Sequence, residues 1–310
     1  MTDVVDRSRP TTRSTVGRPA RPHPAHRGRA LSKAQRQRLA RAITYAVLTL
    51  GAVTMLMPFV WLLSTSLKQG GTEFTFPPEL IPDPVVWRNY PDVLLGKAKF
   101  LLLLRNTALV VLLSVFGVTL SSSLSAFGFA RLPLPGRGFW FTVLLATLML
   151  PEAVTLIPRF LLFRNLGWID SWLPLIVPSF GGSAYGIFLL RQFFLTIPRD
   201  YDEAARIDGA SSLQIWWHVM LPLSQAALIT VAVLSFLSHW NAFLDPLIYI
   251  STYDKQMVGV GLQLFRGTAL TVWSQMMAAA AMQILPVLVI FFVAQRYIMR
   301  GIVMTGIAGR

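Results

Sequence analysis

Side chains that commonly carry chemistry are sparse in this sequence. The 310 residues contain no cysteine and four histidines, His23, His26, His218 and His239. These histidines are not spaced like metal ligands, and no nucleophile–histidine motif accompanies them. The G-x-x-x-x-G-K-[ST] pattern of a nucleotide-binding loop is also absent from the sequence, which disfavours ATP hydrolysis by this chain. An enzyme, a metal site and a disulfide-stabilised domain are therefore not expected.

Two carboxylates stand inside or beside long apolar intervals. Glu152 interrupts residues 139–158, and Asp245 directly follows residues 223–244. Ionisable groups at membrane depth usually face a cavity or a charged partner. The two residues therefore predict either carboxylates that bind the hydroxyl groups of a ligand or a structural pair, for example with Arg159 or another subunit.

Trp240 and Asn241 lie at the end of the same apolar interval as Asp245. A ring for stacking and an amide for hydrogen bonding would suit a polyhydroxylated ligand. Helix packing together with a place in the interfacial aromatic belt explains the same residue types. We favour packing as the role of Trp240 and Asn241.

Residues 197–222, IPRDYDEAARIDGASSLQIWWHVMLP, have the pattern of a helix, a glycine turn and a second helix. Pro198 suits a first helical turn. Acidic residues after it, Asp202 and Glu203 among them, complement the positive end of the helix dipole. Gly209 stands where a helix-terminating glycine is expected.

The second half of this segment has its own start signal. Ser211 and Gln214 have the spacing of a capping box, and Pro222 is expected to end the element. Apolar residues follow at helical spacing, namely Ile215, Trp216, Val219 and Met220. Such a face fits either a cleft in a partner protein or the membrane surface, with its tryptophans among the headgroups.

The surrounding composition is that of a membrane protein. Charged residues make up 14% of the chain and hydrophobic residues 54%, whereas soluble domains are about one quarter charged. About 20 apolar residues cross a bilayer as a helix. Six charge-poor intervals therefore predict six transmembrane helices, over residues 42–66, 106–130, 139–158, 171–190, 223–244 and 273–295.

Charge distribution predicts the orientation. With the N-terminus inside, the inner segments hold 19 Lys and Arg residues and the outer segments hold 9. The positive-inside rule then places both termini and residues 197–222 in the cytoplasm. Eleven of the 19 lie in residues 1–41, where two aspartates leave a net charge of +9.

The basic stretch 1–41 has three interpretations. A secretory signal is shorter than this basic stretch, and its apolar core is shorter than the apolar run that follows here. No aromatic residue interleaves with its arginines, which disfavours a nucleic-acid arm. We therefore predict a disordered basic cytoplasmic tail.

The glycine-turn segment resembles a known motif. Glu203-Ala204-Ala205, then Asp208-Gly209-Ala210, then Leu221-Pro222 is similar to the EAA loop of ABC importer permeases. The resemblance implies a pair of coupling helices that insert into a separate ATP-binding subunit. It further implies that Ala204 and Ala205 allow close approach, that Gly209 makes the turn, and that Glu203 meets a basic or N–H-rich rim.

The resemblance extends over nearly all of the chain from residue 42 onward and is closest to the smaller permease of maltose-type importers. The segments that support it are Phe76-Pro77-Pro78, Trp87-Arg88-Asn89-Tyr90, Asn106-Thr107, Ala126-Phe127-Gly128-Phe129-Ala130-Arg131, Pro135-Gly136-Arg137, Trp240-Asn241, Pro246-Leu247-Ile248-Tyr249, Gln295-Arg296-Tyr297 and Arg300-Gly301. The C-terminal Gly306-Ile307-Ala308-Gly309-Arg310 departs from the family's lysine-containing tail.

The resemblance implies an all-α membrane protein with the type I ABC importer permease fold, a six-span domain over residues 42–310 and import of a sugar or oligosaccharide. Its implied partners are a second permease, a dimer of ATP-binding subunits that holds ATP and Mg²⁺, and an extracytoplasmic solute-binding protein that residues 250–272 would reach. No cofactor is expected in this chain, and its expected location is the bacterial inner membrane.

Two alternatives remain at the level of the sequence. The importer could take glycerol-3-phosphate or a polyol, since the permease sequence separates these solutes poorly. A stand-alone secondary transporter is the alternative from another class, and it would be expected to show internal repeats with broken helices. No clear repeat relates the two halves of the sequence.

Overall fold

The structure is a computed structural model that describes residues 33–77, 79–96, 99–264 and 272–307. Some predicted segments therefore lie outside the described residues. These are most of the predicted tail, Pro78, the C-terminal residues 308–310 and part of the 250–272 connection. The chain divides into two compact units, residues 1–56 and 57–310.

The described chain is helical throughout most of its length. It contains fourteen α-helices: α1 Lys33–Ser66, α2 Asn89–Leu95, α3 Phe100–Arg131, α4 Arg137–Thr147, α5 Glu152–Asn165, α6 Leu173–Ile176, α7 Ala184–Thr196, α8 Asp200–Ile207, α9 Ser212–Ile215, α10 Leu221–Leu223, α11 Gln225–Trp240, α12 Leu244–Tyr249, α13 Val258–Leu264 and α14 Trp273–Ile307. Short 3₁₀ turns cover Val177–Gly181 and Tyr253–Lys255, and a π-helical turn covers Trp216–Met220.

In the first unit, the described residues form the first part of α1. Its side chains are exposed all round through residue 56, and the helix is apolar beyond its basic first turns. A helix that is apolar on every face is suited to a lipid environment. The helix begins at Lys33, nine residues before the apolar interval that predicted it.

Within the part of the chain that the structure describes, four helical segments are long and apolar enough to cross a membrane: α1, α3, Leu173–Thr196 and Trp273–Arg296. Two further pairs pass the same test but are sharply bent, and counting each as one span gives up to six. The all-helical membrane fold predicted from composition is therefore confirmed.

The third predicted span is not the straight helix expected over residues 139–158. It is divided between α4 and α5, which meet at 96°. Pro151 has an extended backbone before the first residue of α5, and a proline disfavours helical geometry at the residue before it. The charge pattern located the apolar interval, but this proline breaks it near its middle.

The fifth predicted span is shorter than expected. Helix α11 has 16 residues and is about 24 Å long, less than the hydrocarbon thickness of about 30 Å. Together with the Ser212–Leu223 segment it forms the second bent pair, with an angle of 84°.

Helix α3 lies at the centre of the second unit and packs against α7 and α11. Small residues allow this close packing. The neighbours of Gly186 in α7 lie so close that a Cβ atom at this position would stand 3.1 Å from Ser122 Oγ and 3.2 Å from Val231 of α11. Buried apolar side chains such as Phe127 and Phe194 surround the crossing, as is usual for membrane helices that approach through small residues.

Candidate functional site

Residues 197–222 form the predicted helix, glycine turn and helix. Helix α8 ends at Ile207, and Gly209 follows with a left-handed φ of +84°. The Gly209 amide donates to Arg206 O over 3.0 Å, and the Ala210 amide donates to Ala205 O over 2.9 Å. This pair of bonds is a Schellman motif, which satisfies the last helical carbonyls. The predicted glycine terminus is therefore confirmed.

The predicted capping box is also confirmed. The Ser211 amide donates to Gln214 Oε1 over 2.8 Å, and the Gln214 amide donates to Ser211 Oγ over 3.4 Å.

Two prolines of the loop lie at other positions in their helices than the sequence predicted. Pro198 precedes the N-cap of α8, Arg199, instead of lying in the first turn, and Pro222 lies inside α10, so that the break falls at Ser224.

The apolar face of the second helix has a different role from either one predicted. Ile215, Trp216 and Met220 are buried in the core that also contains Phe127 and Phe194. This face closes the end of the helix bundle, so it is not free for a partner cleft or for headgroups. Trp217 is the tryptophan of the pair that stays exposed.

The exposed surface of the loop lies around Gly209 instead. Ile207 is 87% exposed and Leu213 is 61% exposed, and they stand on either side of the glycine turn. A Cβ atom at Gly209 would meet nothing within 4 Å. We call Ile207, Gly209 and Leu213 the loop tip. The apolar character of the loop tip was not predicted, although Ile207 is the only large aliphatic residue of α8.

The predicted coupling residues divide between this surface and the interior. Glu203, Ala204 and Asp208 are exposed, and the Glu203 side chain makes no ion pair or hydrogen bond with the described residues. Ala205 and Leu221 are half-buried against the core, while Pro222 is exposed. The structure thus places the acidic and small residues beside the loop tip and turns Leu221 inward.

A second set of predicted residues lines partly open cavities between the helices. Three adjoining cavities of about 350, 310 and 210 Å³ share His239 in their walls. Glu152, Arg159 and Asp245 line the first two. We call this group of cavities the His239 cavity.

The charged side chains of the His239 cavity come from two elements, α5 and α12. Glu152 and Arg159 are seven residues apart on α5 and therefore share one face of that helix. Asp245 lies in the first turn of α12, and Arg159 Nη2 donates to its Oδ1 over 3.2 Å. The Glu152 carboxylate has no ion-pair or hydrogen-bond partner among the described residues. Glu152 therefore faces the cavity with its charge uncompensated by the described chain.

Hydroxyl groups and an imidazole complete the lining. His239 Nδ1 donates to Ser235 O over 2.8 Å, so its Nε2 faces Ser179 Oγ at 3.2 Å. Ser183 and Ser238 are further lining residues. No role was predicted for His239, since a lone histidine in an apolar helix shows no motif. Carboxylates, hydroxyls and an imidazole are groups that exchange hydrogen bonds with polyhydroxylated molecules.

Trp240 and Asn241 are not among the residues that line the His239 cavity. Trp240 is 3% exposed, stacks on Phe236 with ring centroids 5.3 Å apart, and donates from Nε1 to Gln283 O over 3.0 Å. Asn241 is the C-cap of α11, and its side-chain amide donates to Leu237 O of that helix over 2.8 Å. These contacts fit the packing alternative for both residues.

Comparison with known proteins agrees with this architecture. Residues 28–303 match the protein family described as the inner membrane component of binding-protein-dependent transport systems. A relative from Yersinia enterocolitica, the sn-glycerol-3-phosphate transport system permease protein UgpE, is 33% identical over 267 residues, which cover 84% of this chain and 94% of the relative. The protein of the same description from Pectobacterium atrosepticum is 33% identical over 268 residues, which cover 84% of this chain and 95% of that protein.

A solved structure has the same fold. It is a chain of a bacterial ABC transporter involved in the import of the acidic polysaccharide alginate. The TM-score is 0.76 at 25% sequence identity, and the match covers 87% of this chain and 99% of the other. The matched family range includes both the loop tip and the His239 cavity.

Proposed function

Because the chain belongs to the family of inner membrane components of binding-protein-dependent transport systems, we propose that it is a permease subunit of an ATP-driven ABC importer for a sugar or oligosaccharide. The loop of residues 197–222 is its point of contact with the ATPase. Movement of this loop on ATP binding then switches the transmembrane helices between two states.

The observation that supports this coupling role most directly is the loop tip. Ile207 and Leu213 are large apolar residues that are mostly exposed, and Gly209 gives the turn an unobstructed surface. Exposed apolar residues around a rigid turn are typical of a contact with another protein. Glu203 and Ala204 extend this surface with an unpaired carboxylate and a small side chain.

The proposal includes four kinds of partner. A second, similar permease completes the pathway, and an extracytoplasmic solute-binding protein delivers the solute. A dimer of ATP-binding subunits holds ATP and Mg²⁺, because this sequence has no G-x-x-x-x-G-K-[ST] segment of its own. Residues 197–222 and both termini lie on the cytoplasmic side, in accordance with the 19 to 9 distribution of Lys and Arg.

The His239 cavity is the proposed section of the solute pathway in this subunit. Glu152, His239 and the serines are hydrogen-bonding groups for sugar hydroxyls, while Asp245 holds Arg159 in place. The cavity contains two carboxylates and one guanidinium, and that guanidinium is already paired. This charge balance favours a neutral sugar over glycerol-3-phosphate, whose phosphate would need an available cation.

Coupling is tested in a complex reconstituted with the partner permease, the ATPase and the binding protein. We expect Glu203→Lys and Ile207→Asp to lower ATP-dependent uptake at least tenfold, because each places an unfavourable charge on the docking surface. Leu166→Ala, at an exposed apolar residue outside the loop, serves as the control. Unchanged uptake and unchanged ATPase binding in both loop variants would remove the coupling role.

The pathway is tested in the same preparation with a panel of neutral sugars and glycerol-3-phosphate. We expect Glu152→Gln to raise KM for the transported sugar several-fold while the ATPase stays bound, because the substitution weakens a charge-assisted hydrogen bond. Glu79→Gln, at an exposed residue before α2, is the matched control. Preferred uptake of glycerol-3-phosphate would instead favour the alternative solute.

A further inference from the structure

Helix α8 is attached to the rest of the molecule in an unusual way. Its one fully buried residue is an aspartate, Asp202, in the first turn. The second helix of the loop is held by a buried apolar face, as described above, whereas α8 contributes only the half-buried Ala205 to that core. Its side-chain attachment to the transmembrane helices therefore depends mainly on a buried charge.

The partner of Asp202 is Arg131, the last residue of α3. Arg131 Nε lies 3.1 Å from Asp202 Oδ2, and the two side chains are 3% and 8% exposed. Asp202 Oδ1 is buried and has no hydrogen-bond partner among the described residues. The charge of Asp202 is therefore compensated mainly by Arg131, and neither side chain can be neutralised without loss to the other.

Arg131 also binds the end of a second transmembrane helix. Its Nη2 donates to Phe194 O over 2.8 Å and to Ile197 O over 2.6 Å. These carbonyls belong to the last turn and the C-cap of α7. A guanidinium at two helix C-termini and a carboxylate at one helix N-terminus both complement the helix dipoles. One side chain thus joins the ends of α3 and α7 to the start of α8.

Among the described residues, no other nearby cation forms an ion pair with Asp202. Arg137 and Arg199 line an open cavity beside Arg131, and neither forms an ion pair with a described residue. Arg199 carries the same charge as Arg131 and repels it, whereas Asp202 attracts it. The Arg131–Asp202 pair is therefore the specific contact in a region that is otherwise positively charged.

We propose that Arg131 and Asp202 are positioning residues that transmit the movement of α8 to α3 and α7. The inference rests on the proposed coupling function, since it concerns how the loop moves the transmembrane helices. The second helix of the loop reaches α11 through the backbone, by way of α10 and Ser224. The Arg131–Asp202 pair gives the first helix a separate connection to two other helices.

The test uses the reconstituted complex and measures solute imported per ATP hydrolysed. We expect Asp202→Asn to lower this ratio at least fivefold while the ATPase still copurifies and hydrolyses ATP. Asp200→Asn, which removes an exposed carboxylate from the same helical turn, should leave the ratio within twofold of wild type. Arg131→Lys keeps the charge but loses the two-pronged donor, and should give an intermediate ratio.

A double variant separates positioning from simple stability. Arg131→Gln with Asp202→Asn removes both charges, so no unpaired charge remains buried and the unfolding temperature should recover relative to Asp202→Asn. We expect its import ratio to stay low. If the double variant recovered both its stability and its import ratio, the positioning role would be overturned. A wild-type import ratio in Asp202→Asn would overturn it as well.

Failure of the proposed function gives a different result. In that case the wild-type complex would show no ATP-dependent import, and Glu203→Lys would change nothing. If wild type imports solute and Glu203→Lys abolishes import, but Asp202→Asn and the double variant both keep the wild-type ratio, only the role of the Arg131–Asp202 pair is wrong.

Discussion

At the scale of single residues, glycine determines how closely the small helix α13 approaches its neighbours. A Cβ atom at Gly259 would stand 2.7 Å from the backbone oxygen of Ala242. A backbone oxygen cannot move aside as a flexible side chain can. The preceding residue of α13 also contacts α3, because the Val258 amide donates to Thr107 Oγ1 over 2.8 Å. This hydrogen bond depends on the same close approach.

We therefore expect Gly259→Ala to destabilise the protein by about 1–3 kcal/mol, because it overpacks this contact. The control is Gly138→Ala in α4, where a Cβ atom would meet nothing within 4 Å. That substitution should be neutral or stabilising by about 0.5–1 kcal/mol. The midpoint of thermal unfolding in detergent measures both, and equal midpoints for Gly259→Ala and wild type would contradict the prediction.

At the scale of elements, Asp170 joins the connection between α5 and α6 to the segment after α12. Its Oδ1 accepts from the Ser251 and Thr252 amides over 3.0 and 2.8 Å. Its Oδ2 accepts from Thr252 Oγ1 over 2.7 Å and from Lys255 Nζ over 2.9 Å. The bond from Lys255, followed by those from Thr252, holds the pKa of Asp170 well below its ordinary value of 3.8.

A carboxyl whose pKa is depressed in the folded state stabilises the fold above its ordinary pKa, and that contribution is lost as the pH falls below it. We expect hydrogen-exchange protection of residues 250–256, corrected for intrinsic rates, to be constant from pH 8 to pH 5. Protection should weaken only below about pH 4.

Asp170→Asn should lower the protection of residues 250–256 at every pH. The control is Asp92→Asn, which removes an exposed pair with Arg88 at 3.4 Å, and such pairs contribute little. A loss of protection in wild type already between pH 8 and pH 5 would show that another group holds this connection.

At the scale of the whole molecule, large apolar side chains remain exposed on the long helices, for example Leu112 and Phe116 of α3 and Phe292 of α14. Apolar surface of this extent requires lipid or a second subunit. Counting the bent pairs allows up to six spans, and the proposed orientation with both termini in the cytoplasm requires an even number.

The absence of cysteine from the sequence makes the orientation directly measurable. We expect Ser212→Cys to react with a membrane-impermeant maleimide only from the cytoplasmic side, because it lies beside the loop tip. Glu79→Cys should react only from outside. Both positions are exposed. The reverse pattern would invert the orientation and place the loop tip where no ATPase could reach it.

Much of the loop was predictable because its signals are local. Gly209 needs a positive φ, and the Ser211–Gln214 capping box joins groups three residues apart, so each acts within one helical turn. The apolar intervals were predictable for a similar reason, since transfer into lipid depends on the composition of about 20 consecutive residues. The family resemblance, which rests on short ordered motifs, is confirmed by the match over residues 28–303.

The contacts that join distant segments were decided by tertiary structure. Asp202 and Arg131 are 71 positions apart in the sequence, Glu152 and His239 are 87 apart, and no local pattern indicates that they meet. The inward direction of Trp216 and Trp240 likewise depends on which neighbours fill the core. The sequence alone therefore determined a lipid-embedded helical chain with a glycine-turn loop. The folded structure decided that this loop presents Ile207 and Leu213 outward and is tied to α3 by a buried charge pair, because burial and pairing depend on packing between helices.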